Sequence, residues 1–227
     1  MLQDTLTLYR RTFTRGASLA LTNWPVGLML LVYLALLNVA TMIAIPFGIV
    51  GGFIMQIAMA ACASSWLALV EQVIRSGRIR LSDVPASFNA YLGDLITVFF
   101  ILWILRLVVA PILVTSGALA AILQLGILIF FNAVPELIYF GHHSGVALFT
   151  ESYHFISENW IEWFPANFIL GGCLVMATLV PSGPAGIVGI FVSGVVLYFA
   201  MIVRGFLFQE LSTSSRRGRA FRRMAGG

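Results

Sequence analysis

The chain has 227 residues, of which 60% are hydrophobic and 10% charged, and its mean hydropathy is +0.98. Soluble domains carry about 25% charged residues, so this composition excludes a water-soluble domain and predicts an integral membrane protein. All 13 basic residues are arginine and the formal net charge is +4. This charge could indicate an acidic partner, but the placement of the arginines along the chain favours a role in setting the membrane topology. No motif for nucleic-acid binding accompanies the arginines.

Six apolar runs follow one another along the chain. A hydrocarbon core about 30 Å thick needs roughly 20 apolar residues per helix, and the fifth run approaches this length once Trp163 and Phe164 extend it. The predicted spans cover residues 24–45, 47–70, 95–114, 118–140, 163–180 and 185–208. We therefore predict one all-α membrane domain over residues 1–212, followed by a basic cytoplasmic tail over residues 213–227.

The six spans pair into three hairpins, whose short turns near Pro46, Ser116 and Ser182 carry no charge. The opposite ends of the hairpins hold nearly all of the arginines: Arg10, Arg11, Arg15, Arg75, Arg78, Arg80, Arg216, Arg217, Arg219, Arg222 and Arg223. Arginine-rich short loops stay on the cytoplasmic side, so we expect both termini in the cytoplasm and the chain in a bacterial inner membrane. The first residues lack the pattern of a signal peptide, so we expect the first helix to remain in the mature protein.

An amphipathic segment precedes each hairpin. In ALFTESYHFISENWIEWF, residues 147–164, one face carries aromatic and apolar residues and another carries acidic residues and a histidine. The first face is Phe149, Tyr153, Ile156, Trp160 and Trp163, and the second is Glu151, His154, Glu158 and Glu162. The three glutamates could form a general acid/base pair, but no nucleophile or oxyanion site is nearby, so we predict that they lie on a solvated helix face. We predict a helix in the membrane plane that ends at Asn159-Trp160 and turns into the fifth span. Residues 2–24 repeat the pattern with Asn23-Trp24, and residues 81–95 repeat it more weakly, which predicts three copies of one unit.

The repeated element resembles a bacterial family of six-helix membrane proteins. The resembling residues are ALFTESYHFISENWIEWF after PELIYFG, and IRSGRIRLSDVPASFNAYL before the third span. The family includes the membrane domain of glycerophosphoryl diester phosphodiesterases, in which a helix with a polar face leads through Asn-Trp into a span. The phosphodiesterase activity of such proteins belongs to a separate soluble domain, and no such domain fits within these residues. The resemblance therefore implies a fold and a membrane location, but not that activity.

Arg106 lies near the middle of the third predicted span, where an arginine costs about 2.5 kcal/mol or more. We expect it to face protein or trapped water. The fourth span carries Gln124, Asn132 and Glu136 at offsets of eight and four, which places them on one helix face. Gln124 is nearest in depth and is the predicted first partner, with a lipid phosphate or a partner subunit as alternatives. This polar region either binds a substrate, an ion or a lipid, or clamps the helices together.

Other residues offer less chemistry. His142, His143 and His154 form no tight ligand pair for zinc, so no metal or cofactor is predicted. Cys62 and Cys173 lie in apolar runs and are predicted to be buried hydrophobic residues rather than a disulfide. The arginines of the tail are predicted to contact anionic lipid headgroups at the cytoplasmic face, or a protein partner. They are Arg216, Arg217, Arg219, Arg222 and Arg223.

The sequence shows no phosphate-binding loop, no nucleophile paired with a base and no haem or zinc ligand set, so we predict a non-enzymatic protein. The leading interpretation is an accessory or scaffold subunit that packs against a larger membrane complex or organises lipid. Spans rich in glycine and alanine favour this interpretation, because small residues let membrane helices pack closely. The alternative is a small transporter or lipid-handling protein that uses the Arg106 region. The expected partners are membrane lipids and either a membrane protein or a second copy of the chain.

Overall fold

The computed structural model describes residues 2–141, 144–178 and 184–213, and within these ranges the chain is helical with no β-strand. This confirms the all-α class predicted from the apolar runs. Two short 3-10 segments, Ile45–Phe47 and Leu81–Asp83, connect longer helices. The α-helices of the described ranges are α1 Leu2–Thr22, α2 Pro25–Ala44, α3 Ile49–Ser76, α4 Val84–Ala90, α5 Leu92–Thr115, α6 Gly117–Phe130, α7 Val134–Phe140, α8 Ala147–Thr178 and α9 Pro184–Ser212.

Five segments of the described ranges are long and apolar enough to cross a membrane, which makes this a multi-pass membrane protein. They are Pro25–Phe47, Val50–Ser76, Leu92–Ile112, Gly117–Phe140 and Val188–Ser212. The run predicted as the fifth span, residues 163–180, falls in the second half of α8 and is not among these five. Its last two residues lie outside the described ranges.

The chain divides into two compact units. Unit 1 comprises Met1–Tyr33, Leu69–Arg80 and Ser157–Gly227, and unit 2 comprises Leu34–Ala68 and Leu81–Ile156. Each unit contains parts of several helices, because α2, α3 and α8 each contribute to both. The two units have separate packing and are described in turn.

Unit 1 is built on the packing of α1 and α2 against α9, and glycines make the close approach possible. A Cβ added at Gly16 would lie 2.8 Å from Cγ2 of Val203, and one added at Gly194 would lie 2.8 Å from the carbonyl oxygen of Gly27. The rings of Phe13 and Phe199 meet edge to face, with centroids 6.0 Å apart. Small residues thus bring these helices into backbone contact, as is common between membrane helices.

Asn23, at the junction of α1 and α2, ties the segment after α3 to unit 1. It is buried, and its side-chain amide donates hydrogen bonds to the carbonyls of Leu19 at 3.0 Å and Gly77 at 2.8 Å. Its oxygen accepts a hydrogen bond from the backbone N–H of Ile79 at 3.3 Å. One buried side chain therefore forms hydrogen bonds with three backbone groups near the ends of α1 and α3. Helix termini leave such groups without partners inside the helix.

In unit 2, serines of α3 hold α4 in place. The hydroxyl of Ser64 donates to the carbonyl of Ser87 at 3.1 Å and accepts from the backbone N–H of Tyr91 at 2.8 Å. The hydroxyls of Ser65 and Ser87 are 2.7 Å apart. We predicted a helix on the membrane surface over residues 81–95. In the structure, α4 has only seven residues and lies beside α3 at the level of Ser64 and Ser65, well before α3 ends at Ser76.

Two helices have different bounds from those expected. The fourth predicted span is broken into α6 and α7 by a turn at residues 131–133, because Pro135 in the first turn of α7 has no N–H to bond the carbonyl of Phe131. In contrast, α8 is continuous from Ala147 to Thr178 and passes through Pro165. The helix expected to end at Asn159-Trp160 therefore continues without a turn into the fifth apolar run.

Candidate functional site

An apolar cavity of about 370 Å³ lies between α3 and α5 in unit 2. Its lining residues are Gly52, Phe53, Gln56, Ile57, Ile96, Phe100 and Trp103. Among these side chains, the polar groups are the amide of Gln56 and the indole N–H of Trp103. The volume lies within the range of small-molecule sites, about 300–1,000 Å³. Because both helices belong to candidate membrane spans, the medium around the cavity is lipid.

Three aromatic rings form much of the cavity wall. The ring centroid of Trp103 lies 5.9 Å from that of Phe53 and 6.0 Å from that of Phe100. Phe53 and Phe100 are each about half exposed, at 49% and 48%, so the cavity opens sideways at the surface of the chain. A Cβ added at Gly52 would meet nothing within 4 Å, so the absence of a side chain there keeps the cavity open.

Contacts along α3 show how it runs beside α4 and α5. On α3, Phe53 contacts Trp103, and Ser64, eleven residues later, contacts Tyr91. Tyr91 precedes Trp103 by twelve residues. The two segments are therefore antiparallel and advance by nearly the same number of residues between the two contacts. By the same register, Arg106 lies level with Val50, in the first turn of α3. The rest of α5, through Thr115, extends about 14 Å beyond this level at 1.5 Å per residue.

This register places Arg106 near the level of the α2–α3 turn rather than beside the middle of α3. The level of the first turn of α3 is also that of the turn between α2 and α3, whose residues Ile45 and Phe47 are exposed at 72% and 56%. Arg106 is itself exposed, and among the described residues it makes no hydrogen bond, ion pair or ring contact. Its side chain is therefore accessible rather than packed against protein, which was one of the two surroundings expected from the sequence, the other being trapped water.

The structure does not form the predicted contact between Arg106 and Gln124. Gln124 is exposed on α6, and within the described part of the chain no hydrogen bond joins it to Arg106. Asn132 lies in the turn between α6 and α7, and Glu136 is fully buried in α7. Gln124, Asn132 and Glu136 were expected on one face of a single continuous helix, but the turn at residues 131–133 interrupts that helix.

Several other predicted residues can be compared with the structure. His142, His143 and the five tail arginines lie outside the described ranges. Among the described residues, no group of three or more His, Cys, Asp or Glu side chains is placed to hold a metal ion. Cys62 is buried as expected, but Cys173 is exposed, so the prediction of a buried residue is wrong there. Both are free thiols.

A second polar cluster lies in unit 1, where the sequence predicted a solvated helix face. Glu162 is only 8% exposed, and its backbone carbonyl accepts a hydrogen bond from the hydroxyl of Tyr9 at 2.6 Å. The guanidinium carbon of Arg204 lies 5.2 Å from the ring centroid of Trp163, which is fully buried. The cluster thus joins α1, α8 and α9.

The environment of Tyr9 keeps its phenol protonated. Burial raises the pKa of this phenol above its ordinary value of 10.0, and the Glu162 carboxylate raises it further, while the backbone amide of Ala166 acts in the opposite direction. A neutral phenol is a hydrogen-bond donor, so the bond from Tyr9 to Glu162 persists at neutral pH. We interpret this cluster as a structural lock between helices.

The two sites offer chemistry for binding and for packing. The cavity provides one amide, one indole N–H and an apolar wall, and the described part of the unit 1 cluster provides a phenol, a carboxylate and a guanidinium engaged between helices. Comparisons with protein-family models, with curated proteins and with solved structures found no match.

Proposed function

We propose that this chain is a non-enzymatic accessory subunit of a bacterial inner membrane that packs against a second membrane protein. The observation that supports the proposal is an offset between two turns of unit 2. The α5–α6 turn at Ser116 lies about 14 Å beyond the level of the α2–α3 turn, as the register of α3 and α5 shows. In a flat bilayer, both turns cannot lie at the headgroups of the same leaflet.

Unit 2 can be placed in the bilayer in two ways. In the first arrangement, the α2–α3 turn lies at headgroup level. The segment Pro25–Phe47 has 23 residues, or about 34 Å of helix, which matches a hydrocarbon core of about 30 Å. Arg106 then also lies at the headgroups, where its charge is solvated. The α5–α6 tip, defined as residues 107–125, lies outside the bilayer with apolar side chains such as Ile122, 66% exposed, in water.

The second arrangement places Ser116 at headgroup level. The exposed backbone of the α2–α3 turn then lies within the hydrocarbon, although such irregular backbone is tolerated there only when protein or water surrounds it. Arg106 moves into the hydrocarbon with it, at a cost of about 2.5 kcal/mol or more. The first arrangement avoids both costs, but it leaves only about 22 Å of α5, from Leu92 to Arg106, in the hydrocarbon, with Asp94 about 18 Å below the level of Arg106. A protein that covers the α5–α6 tip shields its apolar side chains from water. Oligomerisation is a known response to such a mismatch.

The chemistry of the α5–α6 tip suits an apolar protein surface. No charged residue occurs between Arg106 and Glu136. At Gly117, the first residue of α6, an added Cβ would meet nothing within 4 Å, so a partner helix can approach the backbone there. A partner with an apolar surface at this level would bury the tip without leaving a charge unpaired.

The proposal includes the topology inferred from the arginines. The second half of α8 would form a sixth span, the six spans would pair in three hairpins, and both termini would lie in the cytoplasm. The resemblance to the membrane domain of glycerophosphoryl diester phosphodiesterases is consistent with this arrangement and remains a prediction. Fusion of a reporter that is active only in the cytoplasm to either terminus would give signal, and silence at either terminus would contradict the topology.

Native purification tests the partner directly. The tagged chain is extracted from its own membrane in mild detergent, and the mass of the complex and its components is determined by mass spectrometry. We expect one stoichiometric second membrane protein. Gly117→Phe should abolish its recovery, while Gly172→Phe should not, because Gly172 on α8 has equally open surroundings and lies outside the tip. A monomer that carries lipid alone, or a complex of identical chains, would contradict the proposal.

A further inference from the structure

We propose that the cavity between α3 and α5, together with Arg106, binds an anionic phospholipid. One acyl chain occupies the cavity, and the lipid phosphate pairs with the guanidinium of Arg106. The lipid comes from the leaflet that faces away from the arginine-rich ends of the hairpins. The headgroup level assumed here is that of the first arrangement, so this inference rests on the proposed function, although its residues differ from those of the α5–α6 tip.

The shape and lining of the cavity fit an acyl chain. The cavity is apolar along its length, from Gly52 and Trp103 at one end to Ile96 at the other, and it opens sideways between two candidate membrane spans. A lipid can therefore enter from the bilayer without crossing water. Because lipid tails are as apolar as the cavity wall, an acyl chain can pass from the bilayer into the cavity at little cost, and the surrounding bilayer supplies lipid in excess.

The position of Arg106 identifies the headgroup. Arg106 follows Trp103 by three residues, which places it about 4.5 Å further along α5 and about 60° around the helix from Trp103, outside the cavity lining. The long arginine side chain can bring its guanidinium towards that end of the cavity. It is exposed and engages no other described residue, so its charge is available to a ligand. It also lies level with the first turn of α3, where we place the lipid headgroups. An arginine fork pairs with two phosphate oxygens, which favours an anionic phosphate over a neutral headgroup.

Gln56 supplies the remaining polar contact. It is half-buried in the cavity wall and lies six residues further along α3 than Val50, the residue level with Arg106. This places it about 9 Å deeper than the first turn of α3. An amide at this depth can donate a hydrogen bond to a glycerol ester carbonyl, which lies below the phosphate of a phospholipid. The order of cation, amide and apolar wall thus follows the order of phosphate, ester and acyl chain.

Reconstitution in vesicles tests the site. The purified chain is placed in vesicles of equimolar phosphatidylglycerol and phosphatidylcholine, extracted in mild detergent and analysed for retained lipid by mass spectrometry. We expect phosphatidylglycerol to be enriched. Because one basic residue contributes about 1 kcal/mol to the binding of anionic lipid, Arg106→Gln should lower this enrichment about fivefold. Arg106→Lys should keep most of it. Arg78→Gln, which removes an exposed charge from unit 1, should leave it unchanged.

A second variant separates the acyl chain from the headgroup. Gly52→Leu extends a side chain into open space in the cavity and should lower the total lipid retained, whichever headgroup is present. Gly52→Ala should retain lipid and report that the fold tolerates a substitution there. Equal enrichment in the native chain and in Arg106→Gln, or unchanged retention in Gly52→Leu with an unaltered thermal midpoint, would overturn the proposal.

Discussion

Two neighbouring glycines at the start of α3 have opposite surroundings. Gly51 is buried, and a Cβ added there would lie only 2.0 Å from the carbonyl oxygen of Ala44 in α2. Gly52 faces the cavity, where an added Cβ would meet nothing within 4 Å. Between the two helices, Gly48 has φ +53, a backbone conformation that favours glycine. The turn from α2 to α3 therefore depends on glycine at specific positions.

We predict that Gly51→Ala is strongly destabilising and that Gly52→Ala is not. The added methyl group at Gly51 meets backbone that cannot move aside, at a cost of about 3 kcal/mol, the upper part of the usual range for overpacking. The same change at Gly52 meets open space and removes a flexible residue from a helix, so stability should change by about 1 kcal/mol or less. Thermal unfolding of the two variants in detergent checks this. Similar midpoints would contradict the turn geometry described here.

Gly16 makes a comparable contact in unit 1. An alanine there would place its Cβ 2.8 Å from Cγ2 of Val203, and valine cannot easily rotate away because its side chain is branched at Cβ. Gly16→Ala should therefore cost about 1–3 kcal/mol. The double variant with Val203→Ala should lose much less than the sum of the single changes, since the second change removes the clashing methyl. Strict additivity would show that α1 and α9 do not meet at this point.

At the residue scale, side-chain type alone did not predict environment. Glu162 was expected on a solvated face, but it is buried, because α8 continues through Pro165 and presents this position to unit 1. Arg106 was placed in the middle of a span by counting from Ser116, and the contacts of Phe53 and Trp103 move it to the level of the first turn of α3. Depth depends on the register between helices, which a single sequence does not contain.

At the element scale, helix α8 shows why the buried face was misassigned. The predicted apolar face followed the aromatic residues, yet Tyr153 and Trp160 are half exposed. The positions that are buried include Leu148, Ser152, Ile156, Asn159, Trp163, Ala166 and Leu170, at helical spacing. In lipid, small and polar residues pack between helices while aromatic residues remain at the headgroups. Spacing of three and four around Ser152 and Asn159 was the signal that could have identified this face.

Prolines explain the differences in helix bounds only in part. Pro111 and Pro165 lie inside α5 and α8 without ending them, whereas Pro135 begins α7 after a turn. Membrane helices tolerate proline when neighbouring groups satisfy the freed backbone. The apolar runs therefore predicted the existence of helices and the membrane class, but tertiary contacts decide which proline breaks a helix.

The clamp at the α1–α2 junction allows a direct test of one element. Asn23→Ala would leave the Gly77 carbonyl and the Ile79 N–H without the bonds that Asn23 provides, at a cost of about 1–3 kcal/mol. We expect faster hydrogen exchange at the Ile79 amide. Asn38→Ala is the control, because Asn38 is exposed and its amide bonds Leu34 of its own helix. Equal protection of Ile79 in both variants would argue against the clamp.

At the scale of the whole molecule, the offset between the two turns carries the functional argument. Composition was sufficient to predict a multi-pass membrane protein, since five helices of the described ranges are long and apolar enough to span a bilayer. Composition gave no indication that the α5–α6 tip extends beyond the α2–α3 turn, because both hairpins have similar apolar lengths. The offset follows from where α3 and α5 touch, and it leads to the proposed protein partner.

Site-specific photo-crosslinking in the native membrane tests this account most directly. A photoreactive amino acid replaces Ile122 in the α5–α6 tip or, as a control, Val39 on α2, which is 56% exposed in a candidate span. We predict that Ile122 crosslinks to one second membrane protein and that Val39 crosslinks to lipid. Crosslinks from Ile122 to lipid alone would show that the tip lies within the bilayer, and would contradict the proposed role as an accessory subunit.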